Sequence, residues 1–375
     1  MATAKHRAID VLRRERTART FAPELGRLLE SEWTLVPVVD ELFGPLAVKD
    51  DLLRMMFSCC NPRLAEDAQV GLVLHILCGF GISEIAAAFL DTEAATQKRI
   101  SRAKKVLARS KRLFDLADAD FSQRLSAVHR ALYLLFNEGY HGASAESVMQ
   151  VDLCREAIRL TGLLLEHPST ATPSTYALAA LLSLHAARLP ARLNAAGQLQ
   201  PLLDQDRSQW DANLIAEGQR LLELSATGSE ISEYHVEAAI AAVHARTNRM
   251  ESTNWKQIVS LYNKLQVLRP SPIVALNRAI AVAQSEGPSR GLEELAAIPD
   301  RDRLSRYPFY FAALGELELR CGQQDAARTH FRDAVQRARN PMEREFFEQR
   351  VRACERIGQE RLDGQERLEG QKHPH

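Results

Sequence analysis

The chain has 375 residues, 46% of them hydrophobic and 26% charged, and 48 basic residues balance 48 acidic ones. This length allows two or three domains with a sizeable core, and the composition is ordinary for a soluble globular protein. No apolar run approaches the ~18–20 residues of a membrane span, and no secretory-type segment follows Met1.

The zero net charge hides an asymmetry, because positive charge is concentrated before residue 113. Residues 1–20 read as one basic helix with Ala4, Ala8, Ile9 and Leu12 on its apolar face. Six cations, Arg13 and Arg14 among them, outweigh Asp10 and Glu15 there for a net of +4. Isolated, such a helix needs a partner for its apolar side. Residues 21–48 contain Pro23, Pro37, Gly44 and Pro45, with five acids against Arg27. They read as an acidic linker with short helical pieces.

Helical periodicity returns from Lys49. Leu52, Leu53, Met56 and Phe57 mark one helix ending at Asn61-Pro62, and Ala65–Cys78 marks the next, with Gly79 and Gly81 as C-cap positions. A short amphipathic helix over Ile82–Leu90 follows, then a break at Asp91-Thr92, where Thr92 is placed to cap what comes after. From Glu93 to about Leu113 a second helix carries eight cations against one acid, a net of +7, with Ile100, Ala103, Val106 and Leu107 as its apolar seam. A short helix, a tight turn and a longer basic helix describe a helix-turn-helix unit, whose second helix enters the DNA major groove. Charge and spacing alone describe a solvated surface helix equally well.

Residues 121–352 read as helix after helix without an alternating strand, at 121–137, 145–166, 173–188, 208–224, 232–246, 255–268, 273–285, 289–297, 306–321, 324–338 and 341–353. Phe311, Leu314, Gly315, Ala327, Phe331 and Ala334 fit tetratricopeptide spacing, with Gly322-Gln323 in the turn and Glu318 in place of the usual Tyr. Ile273–Ile298 is a weaker copy. Such repeats bury their faces by stacking, so a helical array is the expected architecture, with a protein partner as its usual ligand. Residues 353–375 repeat Gly-Gln-Glu-Arg-Leu and are expected to be disordered.

The residue pattern resembles a known family. Ser83-Glu84-Ile85-Ala86 followed by Lys98-Arg99-Ile100-Ser101-Arg102-Ala103-Lys104 is similar to region 4 of the sigma-70 family, and more narrowly to the extracytoplasmic-function (ECF) sigma factors. Leu90 and Asp91 stand where that family usually has Gly and an apolar residue. His6-Arg7-Ala8-Ile9-Asp10-Val11-Leu12-Arg13-Arg14 resembles the end of region 2, with His6 for the usual Asn. The earlier helices of region 2 are missing from this sequence, so Met1 is read as a truncated or internal start. The runs FNEGY, LCREAIRL, YHVEAAIAAVHA and PSPIVALNRAIAVA resemble the tetratricopeptide-like extension of one ECF subgroup.

The resemblance implies an all-α chain. Residues 1–20 would be a remnant of region 2, residues 21–48 a linker, 49–113 a region-4-like domain, and 121–352 a helical extension. It implies a bacterial, cytoplasmic and nucleoid-associated promoter-specificity subunit, with promoter DNA and core RNA polymerase as partners. Gln97, Lys98, Arg99 and Arg102 are the expected DNA contacts at the −35 element, with Gln97 the better base reader; Arg102, Lys104 and Lys105 fall to phosphates, and Arg13 and Arg14 to the −10 element. The competing reading is a DNA-binding regulator or scaffold without sigma activity, its helical array sensing a partner.

No enzyme, cofactor or metal site is expected. The sequence holds no P-loop, no GxGxxG after a strand, no HExxH and no CxxC pair. Adjacent Cys59-Cys60 reads as a pair of core hydrophobes. Glu138 and His141 could form an acid–base pair or ligate a metal, but the simpler reading is a helix end capped by Gly139.

Overall fold

The computed structural model describes residues 50–108, 118–141 and 151–370. The region-2-like helix, with Arg13 and Arg14, and the linker 21–48 lie outside these residues, as do Arg109, Lys111 and Arg112. Fifteen α-helices run in chain order through the described residues, and the only β pairing among them is an isolated bridge between Leu193 and Leu199. The chain is all-α. It divides into two compact units, one holding the described residues up to Leu182 together with 223–228, the other holding 183–222 and the residues from Ser229 onward.

The first unit opens with α1 (Asp51–Cys59), whose N-terminus is capped by the Asp50 carboxylate accepting the Leu53 N–H at 3.0 Å. Helix α2 (Glu66–Ile76) follows. It buries Ala68 through Leu74 without interruption, as expected of a helix enclosed on all sides. Around it pack α1, α3 (Ile82–Phe89), α4 (Glu93–Ala108) and α5 (Asp118–His141). Gly79 adopts a positive φ of 75° after α2, as its C-cap reading required, whereas Gly81 is extended and begins α3. The Glu84 carboxylate accepts the Gly81 N–H at 2.5 Å, so this glycine opens a helix and does not close one.

The helix from Asp118 packs on the helices before residue 108. Phe57 of α1 meets Phe121 of α5 edge to face at 4.8 Å between centroids. The buried Arg124 donates to the Phe57 carbonyl at 3.0 Å. Helix α6 (Val151–Glu166) packs on α5, and its Arg159 pairs with Asp50 at 2.8 Å. Helix α5 also runs through Gly139 to His141, so Gly139 is mid-helix and does not cap its end. Tyr140 and Phe136 stack inside the core at 5.8 Å, which offsets the conformational cost of a helical glycine. His129 of α5 is buried, bonds to Thr175 Oγ1 of α7 (Pro173–Ala186) at 2.9 Å, and is driven by desolvation to a pKa of about 3. It is a neutral core histidine.

In the second unit, α9 (Glu233–Ala245), α10 (Trp255–Leu268), α11 (Pro272–Glu286), α12 (Pro288–Ala296), α13 (Pro308–Arg320), α14 (Gln324–Arg337) and α15 (Pro341–Gly370) each pack on the next. Two glycines stand at close approaches between neighbouring helices. A Cβ on Gly315 would lie 3.1 Å from the Ala327 carbonyl and from the Phe331 ring, so α13 and α14 meet backbone to side chain. A Cβ on Gly291 would lie 2.4 Å from Ala283 Cβ, closer than real carbon atoms come. Glu318, in the place of the usual Tyr, turns its carboxylate onto His330 Nδ1 at 2.6 Å.

Helix α8 (Ala212–Ser225) begins later than its apolar pattern suggested. Asp206 caps a short 3₁₀ turn over Arg207–Gln209, and Asp211 accepts the N–H groups of Asn213 and Leu214 to start α8 afresh. From that turn the buried Arg207 donates to the carbonyls of His244 and Thr247, both at 2.9 Å, at the C-terminal end of α9. It also donates to Thr247 Oγ1 at 2.7 Å and stacks on Trp210 at 5.2 Å. At the far end, α15 continues to Gly370, where a disordered tail was expected from 353. Between Met342 and Lys372 the sequence has no proline, and Glu, Gln, Arg and Leu dominate, so intrinsic propensity carries the helix onward.

Candidate nucleic-acid interface

Helix α3 ends because Leu90 adopts a left-handed conformation, φ 52° and ψ 44°, a cost of roughly 1–2 kcal/mol for a residue with a Cβ. The reversal lets the Leu90 and Asp91 N–H groups return to carbonyls of the last turn, Asp91 to Ala86 at 2.9 Å. The turn therefore closes without glycine. Asp91 Oδ1 accepts the Thr92 N–H at 2.8 Å, and Thr92 Oγ1 caps α4 through the Ala95 N–H at 3.3 Å. The capping role read for Thr92 is the one it performs.

At about 100° per residue, α4 divides into two faces. Thr96, Ile100, Ala103 and Leu107 are buried along one side, against α2 and α3, while Val106 is half-buried at the seam's edge. Ile100 Cγ1 lies 3.7 Å from where a Gly71 Cβ would stand, so α2 offers a nearly smooth surface to this seam. Gln97, Lys98, Ser101, Arg102 and Lys105 are exposed and share the opposite side. Three cations, a hydroxyl and an amide thus point outward together from a helix whose back is fixed in a core.

Two of the expected DNA contacts sit apart from that stripe. Lys104 is half-buried on the side of His75, whose pKa is lowered by burial and, to a smaller extent, by that lysine's charge. Arg99 turns back to the turn: its Nη2 donates to Asp91 Oδ2 at 2.6 Å, and its guanidinium lies 5.9 Å from the Phe89 ring centroid. Arg130 of α5 covers the same ring at 5.2 Å and is held by Glu66 at 3.1 Å and Asp67 at 2.8 Å. From the sequence, Phe89 falls on the apolar face of the short helix and Asp91 at the break after it, but neither is given a role at the site and Arg130 is not named. Only the polarity of the turn signalled Asp91, and nothing in the spacing ties residue 130 to residue 89.

Glu138 and His141 lie on the last turn of α5, and no group of three His, Cys, Asp or Glu side chains among the described residues could hold a metal ion. None of the six cysteines is in a disulfide; burial pushes Cys59 up to about 12, and Cys60 well above its ordinary value. No described helix is long and apolar enough to cross a membrane.

Residues 124–226 match the model of a family of unknown function, DUF6596. This segment starts within α5, the helix that packs beneath α1 and α2. Over a longer stretch of 342 residues the chain is 40% identical to the uncharacterized protein R00370 of Rhizobium meliloti (strain 1021), spanning 90% of this chain and 79% of that protein. The chain belongs to the same family as R00370. No solved structure matches it.

Proposed function

We propose that this protein is an RNA polymerase sigma factor of the extracytoplasmic-function type. In this reading α3, the turn at Leu90–Thr92 and α4 form a helix-turn-helix that holds the −35 promoter element. The observation that carries the reading is the outward face of α4. Gln97, Lys98, Ser101, Arg102 and Lys105 are exposed in one stripe, and the opposite side is locked into the core by Thr96, Ile100, Ala103 and Leu107. A rigid helix presenting cations and one amide suits a major groove: the amide reads base edges and the cations meet phosphates. The stacked helices α9–α15 serve as a tetratricopeptide-like extension that regulates the complex through a protein partner. The protein works in the bacterial cytoplasm and carries no catalytic chemistry of its own.

Run-off transcription with core polymerase tests this, using promoter fragments that the chain selects from a genomic library. Initiation that depends on the added chain supports the proposal. Binding to those fragments without initiation would instead mark a DNA-binding regulator with a helical sensor. Failure to retain any DNA would remove both.

A further inference from the structure

We propose that Arg99 and Arg130 are positioning residues that grip Phe89 and thereby set the angle at which α4 presents its exposed face. This inference rests on the reading of α4 as a DNA interface. The ring of Phe89 carries a guanidinium at 5.9 Å from Arg99 and another at 5.2 Å from Arg130. Each cation is neutralised by carboxylates of its own, Arg99 by Asp91 and Arg130 by Glu66 and Asp67. Neither is therefore offered to a phosphate, although Arg99 has the composition of a base reader.

The geometry joins four segments at one point. Phe89 ends α3, Asp91 lies in the turn, Arg99 comes from α4, and Arg130 comes from α5. The left-handed Leu90 leaves the turn without the usual glycine, and the Asp91–Arg99 pair ties the two sides of that turn together. Arg130 adds a contact from outside the helix-turn-helix, within the segment that matches the family of unknown function. The extension's first helix thus takes part in orienting the DNA-facing helix, and a load on α5 reaches α4 through Phe89.

The test uses the full-length chain and two fluorescein-labelled duplexes, one of random sequence and one enriched by the unmutated chain from a random library. Binding is measured by anisotropy over a salt series for R99A, R130Q, the double variant and F89L, each at a temperature below its melting transition. F89L leaves every charge in place and removes only the ring. The expectation is a loss of about fivefold on the enriched duplex for each single variant, from cation–π contacts of this kind. Little change is expected on the random duplex, with an unaltered salt slope. The double variant should be no weaker than the weaker single, because the two arginines act through one ring. A salt slope shallower by about 0.9 for R99A would make Arg99 a phosphate contact and overturn its positioning role. Unchanged discrimination by R130Q and F89L, with normal binding by the unmutated chain, would overturn the coupling through α5. If the unmutated chain bound neither duplex, the DNA reading itself would fall.

Discussion

Neutralising the outward face of α4 gives the sharpest test of what that face is for. Lys98, Arg102 and Lys105 are its three exposed cations, while Arg99 is occupied by Asp91 and Lys104 is half-buried. The variant K98Q/R102Q/K105Q keeps long polar side chains with good helix propensity and leaves the seam of Ile100, Ala103 and Leu107 untouched. If each cation neutralises one phosphate, each contributes about 0.9 to the slope of log affinity against log salt, so the triple change lowers the slope by about 2.7. Between about 50 mM and about 200 mM salt, that slope corresponds to roughly a 40-fold difference in affinity which the variant no longer shows. The assay is fluorescence anisotropy with a labelled duplex over that salt range, with circular dichroism to establish that helix content is unchanged. A folded variant with the slope of the unmutated chain would refute the assignment of this face to DNA.

Other consequences of the packing can be checked without DNA. Gly291→Ala gains about 1 kcal/mol of helix propensity but loses about 1–3 kcal/mol to overpacking against Ala283, so a net loss and a lower melting temperature are expected; adding Ala283→Gly should recover part of it. Arg207→Met strands the carbonyls of His244 and Thr247, and a loss of about 3 kcal/mol in a urea titration is expected, whereas a loss under about 1 kcal/mol would show that water replaces the guanidinium. Three histidines, the buried His129 and His244 and the half-buried His185, contribute to the acid limb of stability. His129, His185 and His244 are each held at about 3 in the fold by desolvation first, against an ordinary 6.5. The unfolded chain binds more protons than the folded one between those values, so their contribution is complete above about pH 6.5 and is lost as the pH falls toward 3. Melting temperature against pH should show that decline, and His129→Gln should make it shallower.

The helical skeleton was legible because local rules set it. The seam of α4 has a 3.6-residue period, Thr92 is a standard capping residue, and α10 occupies the interval its apolar spacing marks, Trp255–Leu268. Misread positions had more than one cause: Glu84, three residues on, makes Gly81 a helix start, while packing decides Gly139. Gly139 looks like a stop, but the burial of Phe136 and Tyr140 carries α5 through it. Arg207 carried no expectation from the sequence, and the carbonyls of His244 and Thr247 draw its side chain inward. On α4, Gln97, Lys98, Arg102 and Lys105 share one exposed face, as the helical spacing placed them. Arg99 had the right type and neighbours for that face but a better partner in Asp91, and only the left-handed Leu90 brings that carboxylate within reach.

The contact of α5 with α1 bears on how this chain could have been assembled. A reader of the sequence would cut it near residue 113, as though a DNA-binding module had been spliced onto an independent array. Phe121, Arg124 and Arg130 close the far side of that module and satisfy the Phe57 carbonyl and the Glu66 and Asp67 carboxylates. A gene ending at that point would encode a protein with an open apolar flank, prone to self-association. The two parts can therefore be exchanged between proteins only if the seam falls beyond α5, and swaps made at the apparent boundary should yield aggregates where swaps made later yield folded chimeras.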